Sequence, residues 1–386
     1  MSKTWLGKWK RIDGMKRQDT THVVVQQPHN SGQWRLAVEF IGIDVHKRES
    51  QVCILAAGGE VVLEQRIRTE QGRLAELLGR RPKARILMEA STESEWVARC
   101  LEQLGHEVVV ADPNFSPMYA TRSRKVKTDK RDARTLAEAC KLGAYRPAHR
   151  TSDARRHLRA QLAVREALVR TRAKYISLAR ALVRREGVPI GTGAAEHFAK
   201  RVNAAKLPGH LMAEVAPLLV VMQQLNAQIS FLDGWLERAA LKDTQVANLR
   251  TAPLIGPVTA SAFVACVDDP KRFKGPHQVE AYVGLVPSEK SSGEKQSQGR
   301  ITKTGNARVR WLLVQAALSI LRRRQPQTEH LRTWAERIAS RRGKKTAVVA
   351  LARKLAGILF AMRKGTPYTP PRAEQAAALH LEAAAT

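Results

Sequence analysis

From Ile41 to His46 the chain alternates: Ile41, Ile43 and Val45 fall on one parity, and Gly42, Asp44 and His46 on the other. A period of two is the pattern of a strand with one apolar and one polar face. It sets a carboxylate, Asp44, in mid-strand, where it costs free energy unless it is solvated, hydrogen-bonded or bound to a cation. The segments that follow limit how that strand can be used. Gln51 to Ala56 reads as a second strand, Gly58-Gly59 as a hairpin turn and Val61 to Ile67 as a third strand. A helix around Arg73 to Leu78, an apolar strand at Ala84 to Met88, a helix from Glu93 to Leu104 and a strand at Glu107 to Ala111 come next, with a further helix starting near Thr128. The order β-β-β-α-β-α-β predicts an α/β domain with a mixed sheet flanked by helices. A Rossmann domain would alternate from its first strand.

Beyond residue 150 the texture is helical. Leu218, Met222, Leu225, Ile229, Leu232 and Leu236 recur at steps of four and three, the seam of a coiled coil or a long helical hairpin. Val164, Leu168, Tyr175, Leu178 and Leu182 give a looser stripe on an earlier, Arg-rich helix, and Gly187 to Gly193 breaks the two apart. The run Leu254 to Ala260 reads as a tight turn entering a helix, followed after Pro287 by a polar loop, Ser288 to Gly299, and by further helices to Lys364. These shifts divide the chain into 1–38, a flexible basic leader; 39–150, the α/β domain; 151–245, a helical coiled-coil region; 246–365, a mainly α domain; and 366–386, a disordered tail.

Charge narrows the partner. With 66 Lys plus Arg against 35 Asp plus Glu among 386 residues, the formal net charge is +31, which favours an anionic partner, nucleic acid before membrane. The hydrophobic share of 44% supports packed cores and excludes a wholly disordered basic tail. Cys53, Cys100, Cys140 and Cys266 lie far apart, which argues against a disulfide scaffold or a zinc finger. Apolar stretches such as Val215 to Met222 fall short of a membrane span, and no secretory signal precedes the first strand, so a cytoplasmic protein is expected.

Four acidic residues are the candidates for chemistry. Asp44 is mid-strand, Glu89 follows the apolar strand Ile86-Leu87-Met88, and Asp129 and Asp132 share one helical face at i, i+3. Their convergence would give an all-oxygen pocket suited to one or two Mg²⁺ ions. Around the last two, Arg122, Arg124, Lys125, Lys127, Lys130, Arg131 and Arg134 form a basic belt that suits a polyphosphate backbone. On the Arg-rich helix, Arg170, Arg172, Arg180 and Arg184 are expected to form ridges that follow RNA or DNA.

Three motifs, Ile41-Gly42-Ile43-Asp44-Val45-His46-Lys47, Met88-Glu89-Ala90 and Lys127-Thr128-Asp129-Lys130-Arg131-Asp132-Ala133, closely resemble the DEDD-type transposases of bacterial insertion sequences, related to Piv-type DNA invertases. Gly284-Leu285-Val286-Pro287, Ser291-Ser292-Gly293, Gly299 to Asn306 and Ala350 to Lys354 resemble the second domain of that family, so the likeness runs from about residue 40 to 368. The resemblance implies a RuvC-like, RNase H-fold domain whose Asp44, Glu89, Asp129 and Asp132 are catalytic and bind Mg²⁺, and a C-terminal transposase domain with a nucleophilic serine. By position that serine is Ser292, with Ser291 as the rival and Ser288 behind both. Lys290, Lys295, Arg300 and Lys303 are the cations expected to steady the phosphate. It further implies composite sites completed between subunits of a homo-oligomer, and a structured guide (bridge) RNA that pairs with element-end and target DNA. Two alternatives are a RuvC-like nuclease acting on branched DNA and a noncatalytic basic RNA- or DNA-binding protein. The first strand of this family usually lies near the N-terminus, whereas here about 40 residues precede it.

Overall fold

The computed structural model describes residues 39–120, 128–292 and 295–370, without the side chains of 290–298. The 1–38 leader, the tail beyond residue 370, and Arg122, Arg124, Lys125 and Lys127 of the basic belt lie outside the described residues. The chain divides into two compact units that meet in sequence at Thr151 and Ser152.

The first unit is an α/β domain. It comprises strands β1 (Glu39–Val45), β2 (Glu49–Ala56) and β3 (Val61–Arg68), helix α1 (Gln71–Leu78), β4 (Arg85–Glu89), α2 (Ser94–Gln103), β5 (Glu107–Ala111) and α3 (Asp129–Leu142). The sheet runs β3-β2-β1-β4-β5. Its first three strands are antiparallel, while β4 runs parallel to β1 and β5 parallel to β4. This mixed sheet agrees with the RNase H-like expectation.

Alternation along the strands sorts the side chains onto two faces, and both are covered. Ile41, Ile43, Val52, Ile54, Ile86 and Met88 pack against Leu74 and Leu78 of α1 and Val97 and Leu101 of α2. Residues of the other parity, Cys53, Leu55 and Leu87, pack against Ala133, Leu136 and Ala137 of α3. Gly42 shares this second face, and α3 lies directly on it: a Cβ there would sit 2.1 Å from the Ala133 carbonyl oxygen and 2.3 Å from the Ala137 amide nitrogen. A side chain of any size at position 42 would force the helix off the sheet.

The second unit is mainly helical. Helix α4 (Asp153–Arg185) is followed by α5 (Phe198–Ala204), α6 (Gly209–Lys242), α7 (Thr244–Leu249), α8 (Pro257–Val267) and α9 (Pro276–Tyr282). Strands β6 (Pro287–Ser292) and β7 (Lys295–Ile301) come next, then α10 (Ala307–Arg322), α11 (Glu329–Arg342) and α12 (Lys344–Arg363). Helix α8 is buried on every side from Ala260 to Val267, as expected of a helix with no polar face, and α4, α6, α7 and α9 to α12 share its core, while α5 packs in a separate cluster with other parts of α4 and α6.

Three expectations for this unit need correction. Of the two forms that the α6 spacing allows, a coiled coil or a helical hairpin, the structure has the antiparallel hairpin: as the α4 partner advances from Arg155 to Arg165 to Arg172, the partner on or just after α6 retreats from Asp243 to Asp233 to Asn226. The α6 seam is buried as expected at Met222, Leu225, Ile229 and Leu236, whereas the α4 stripe holds only in part: Leu168, Tyr175 and Leu182 are half-buried, Val164 and Leu178 are exposed, and the fully buried α4 residues are Leu158, Leu162, Ala179 and Val183. Arginines that reach acids and amides across the hairpin make its inner face mixed, so apolar spacing alone finds only part of the packed face.

For the same reason the arginine ridges are partly occupied. Arg170 pairs with Glu166, Arg172 donates to Asn226, and Arg180 donates to the Ile190 and Gly191 carbonyls, while Arg184 stays exposed. Finally, Ser288 to Gly299 is not a loop but most of a two-stranded antiparallel hairpin. From Ser288 to Gly299 every residue is polar or glycine, so the sequence carries no apolar period of two there. By length and composition α6 is also apolar enough to cross a membrane, yet its Val215, Leu219, Met222 and Ile229 are buried within this unit.

Candidate metal centre

The polar parity of β1 carries Asp44 toward the face covered by α3. Register then brings in its neighbours. Ile43 pairs with Met88 in parallel, so the next residue of β4, Glu89, lies at the level of Asp44, and Asp44 pairs on its other side with Gln51, which pairs in turn with Arg66. Arg66, Gln51, Asp44 and Glu89 thus form one row across four strands.

Helix α3 supplies the remaining acids. Thr128 caps it by accepting from the Arg131 amide at 3.3 Å, which sets Asp129 and Asp132 in the first turn. The positive end of the helix favours carboxylates there. Because α3 rests on Gly42, two residues before Asp44, its first turn comes down beside Asp44.

The result is a crowded acidic centre. Asp44 Oδ2 lies 3.2 Å from His46 Nε2, and Asp129 Oδ1 lies 3.8 Å from the same nitrogen. Asp44, His46 and Asp129 can each offer one ligand atom within 4.8 Å of the others. Burial pushes the Asp44 carboxyl above the ordinary carboxylate range; His46 pulls the other way, and the like charges of Asp132, Glu89 and Asp129 add to the rise. Glu89, Asp129 and Asp132 are therefore all near enough to Asp44 to act on its charge. Arg66 donates to Asp129 Oδ2 at 3.0 Å and reaches Glu49 at 3.3 Å, and the Tyr119 hydroxyl donates to Glu89 Oε1 at 2.7 Å.

The sequence alone assigns no role to His46, Arg66 or Tyr119. His46 had a signal, since it keeps the parity of Asp44; the other two did not, because their placement depends on strand register and on the chain after β5. Of the described basic belt, Lys130 pairs with Glu64 at 2.7 Å and Arg134 with Glu138 at 3.3 Å, while Arg131 is exposed. Ser292 ends β6 in the second unit, paired in register with Lys295, and Ser291 pairs with Gln296. The side chains of both serines, and those of Lys290 and Lys295, lie outside the described residues; Arg300 and Lys303 are exposed.

Comparison with known proteins gives this acidic centre its context. The DEDD model of an IS110 transposase matches residues 41–186, and the model described as Transposase IS116/IS110/IS902 family matches residues 246–332. A probable family 20 transposase of Pseudomonas aeruginosa is 30% identical over 341 residues, covering 86% of this chain and 98% of its own. The transposase for insertion sequence element IS1328 of Yersinia enterocolitica is 28% identical, covering 86% of this chain and 99% of its own. That for IS1111A of Coxiella burnetii is 26% identical, covering 84% and 89%. The DEDD match implies dependence on a divalent metal, and the cluster around Asp44 is an acidic group able to hold one. With both family models falling in order and relatives matched along nearly their whole length, the chain belongs to the IS110/IS116/IS902 family and is a transposase, an enzyme whose partner is DNA.

Proposed function

We propose that Asp44, Glu89, Asp129 and Asp132 hold Mg²⁺ and that Ser292 is the nucleophile of a strand-exchange reaction at insertion-element ends and target DNA, guided by a structured RNA. The observation that carries the metal assignment is geometric: Asp44, His46 and Asp129 offer ligand atoms within 4.8 Å of one another, with Glu89 at the level of Asp44 on the next strand and Asp132 in the first turn of α3 beside Asp129. Like charges held that close favour a divalent cation among them, and an oxygen-rich donor set suits hard Mg²⁺. When bound, the ion supplies Lewis acidity toward phosphoryl oxygens.

The serine step balances as a phosphoryl transfer. The Ser292 Oγ forms a bond to a DNA phosphorus, its proton passes to a base, and the bond to a deoxyribose oxygen breaks, that oxygen taking up a proton. Attack by a different DNA hydroxyl on the phosphoserine rejoins the strand and returns the serine. A neutral serine is a poor nucleophile and needs such activation. The exposed Arg300 and Lys303 on and after β7 are the described cations suited to steady the phosphate.

Suicide substrates carrying an element end test the assignment. Wild-type protein accumulates a covalent protein–DNA adduct, Ser292→Ala forms none, and Ser291→Ala retains it. An adduct of wild-type yield in Ser292→Ala rejects Ser292, and its loss only in Ser291→Ala transfers the role to the neighbour.

Guidance by RNA is supported by the net charge of +31 together with an aromatic share of only 5%, which suits shape and backbone contacts better than base stacking. Protein purified from cells carrying the whole element is expected to bring down one discrete transcript from the element's noncoding flank, read by sequencing. A random sample of cellular RNA would reject guidance. The same reading has the protein acting in the cytoplasm as a homo-oligomer.

A further inference from the structure

Three glycines in the motifs of the second unit shape the β6–β7 hairpin, two of them at its root. Gly284 follows α9 with φ +71°, and a Cβ on it would fall 2.2 Å from the Thr304 carbonyl oxygen. Gly305 has φ +77°, and its Cβ would fall 1.9 Å from the Tyr282 carbonyl oxygen. The segments before β6 and after β7 therefore lie backbone against backbone, at a distance no side chain permits.

Hydrogen bonds close the same contact. The Thr302 amide donates to the Val286 carbonyl at 2.8 Å, and the Lys303 amide donates to that of Gly284 at 3.2 Å, with Lys303 itself held at φ +57°. From the first turn of α10, the Arg310 guanidinium donates through Nη1 to the Val283 carbonyl at 2.9 Å and to the Thr304 carbonyl at 3.2 Å, one from each segment. Burial lowers the pKa of Arg310.

The third glycine shapes the hairpin above this root. Pro287 pairs with Ile301 and Glu289 with Gln298, so Ser288 alone faces Gly299 and Arg300. Two residues opposite one is a β-bulge, which bends and twists the ribbon and re-aims what lies beyond it. Beyond it lie Ser291 and Ser292.

We propose that Arg310 is a positioning residue for strand exchange: by binding the Val283 and Thr304 carbonyls together it fixes the root of the hairpin and hence the direction in which β6 presents its serines. This rests on the reading of a β6 serine as the nucleophile. A two-stranded ribbon is marginal by itself, so its aim depends on how its ends are held. A misplacement of about 1 Å at a reacting group costs roughly a hundredfold in rate.

The test uses full-length Arg310→Ala and Arg310→Lys beside Ser291→Ala and Ser292→Ala. It reads adduct formation in single turnovers, DNA affinity, and hydrogen exchange of the amides of residues 288–301. In Arg310→Ala, adduct formation is expected to fall about a hundredfold with DNA affinity unchanged, while the hairpin amides exchange at least tenfold faster. Arg310→Lys, which keeps one donor group between the two carbonyls, recovers part of both. Adduct formation at the wild-type rate in Arg310→Ala overturns the proposal, as does a loss that tracks DNA affinity or unfolding of the whole unit in both variants. Should both serine variants still form adduct, the serine reading fails and the positioning role with it, while the exchange data show separately whether Arg310 holds the root.

Discussion

Gly42→Ala is expected to lower strand exchange about a hundredfold and to destabilise the first unit by about 3 kcal/mol or more. The new methyl carbon would sit 2.1 Å from the Ala133 oxygen, 2.3 Å from the Ala137 nitrogen and 2.9 Å from the Leu136 carbonyl carbon, all backbone atoms of α3. None of these can rotate away, so the helix itself must retreat. Asp129 and Asp132 ride on its first turn and retreat with it, away from Asp44. Thermal melts and strand-exchange assays on the purified protein measure the two effects. Gly72→Ala is the control: it lies in α1 with nothing within 4 Å of its added carbon, and it is expected to stabilise by up to about 1 kcal/mol. Wild-type melting and activity in Gly42→Ala would mean that α3 is not held on the sheet as described.

Asp44→Asn separates stability from catalysis, because the two are expected to move in opposite directions. Strand exchange falls by about a thousandfold or more, the scale of several kcal/mol of lost charge stabilisation. The metal-free protein, by contrast, melts at a higher temperature than wild type at neutral pH. The sign follows from the raised pKa of Asp44 in the fold. A carboxyl that holds its proton more tightly when folded contributes stability below its unfolded pKa. It loses that contribution as pH rises through the folded value, so at neutrality the ionised group opposes folding. Asparagine removes the opposing charge. A bound cation acts on the same charge, so Mg²⁺ raises the melting temperature of wild type far more than that of the variant, and its effect on wild type weakens as acid protonates Asp44. Melts with Mg²⁺ or chelator at several pH values check this. An equal Mg²⁺ shift in both proteins would place the metal elsewhere.

The strand-helix order of the first unit is legible because each element there has a local period. Ile41, Ile43 and Val45 against Gly42, Asp44 and His46 fix a strand and its polar face, and Asp129 with Asp132 fixes a helical face, without knowledge of any neighbour. In the second unit the α6 seam is legible for the same reason. The α4 face is legible only in part, because Arg165 and Arg172 sit on it, made tolerable by Asp233 and Asn226 from the opposite helix. The β6–β7 hairpin left no trace, since Glu289, Lys290, Gln296 and Gln298 carry no apolar parity.

By itself, then, the sequence determined which residues could carry chemistry and on what kind of element each stands. Only the tertiary structure decided their company: that Glu89 stands at the level of Asp44, that His46, Arg66 and Tyr119 join the acids, and that Arg310 ties Val283 to Thr304. The physical reason is one of range. Periodicity is imposed by the backbone within a few residues, whereas register and helix docking are set by packing between segments far apart in the chain, as when a missing side chain at Gly42 lets α3 settle on β1.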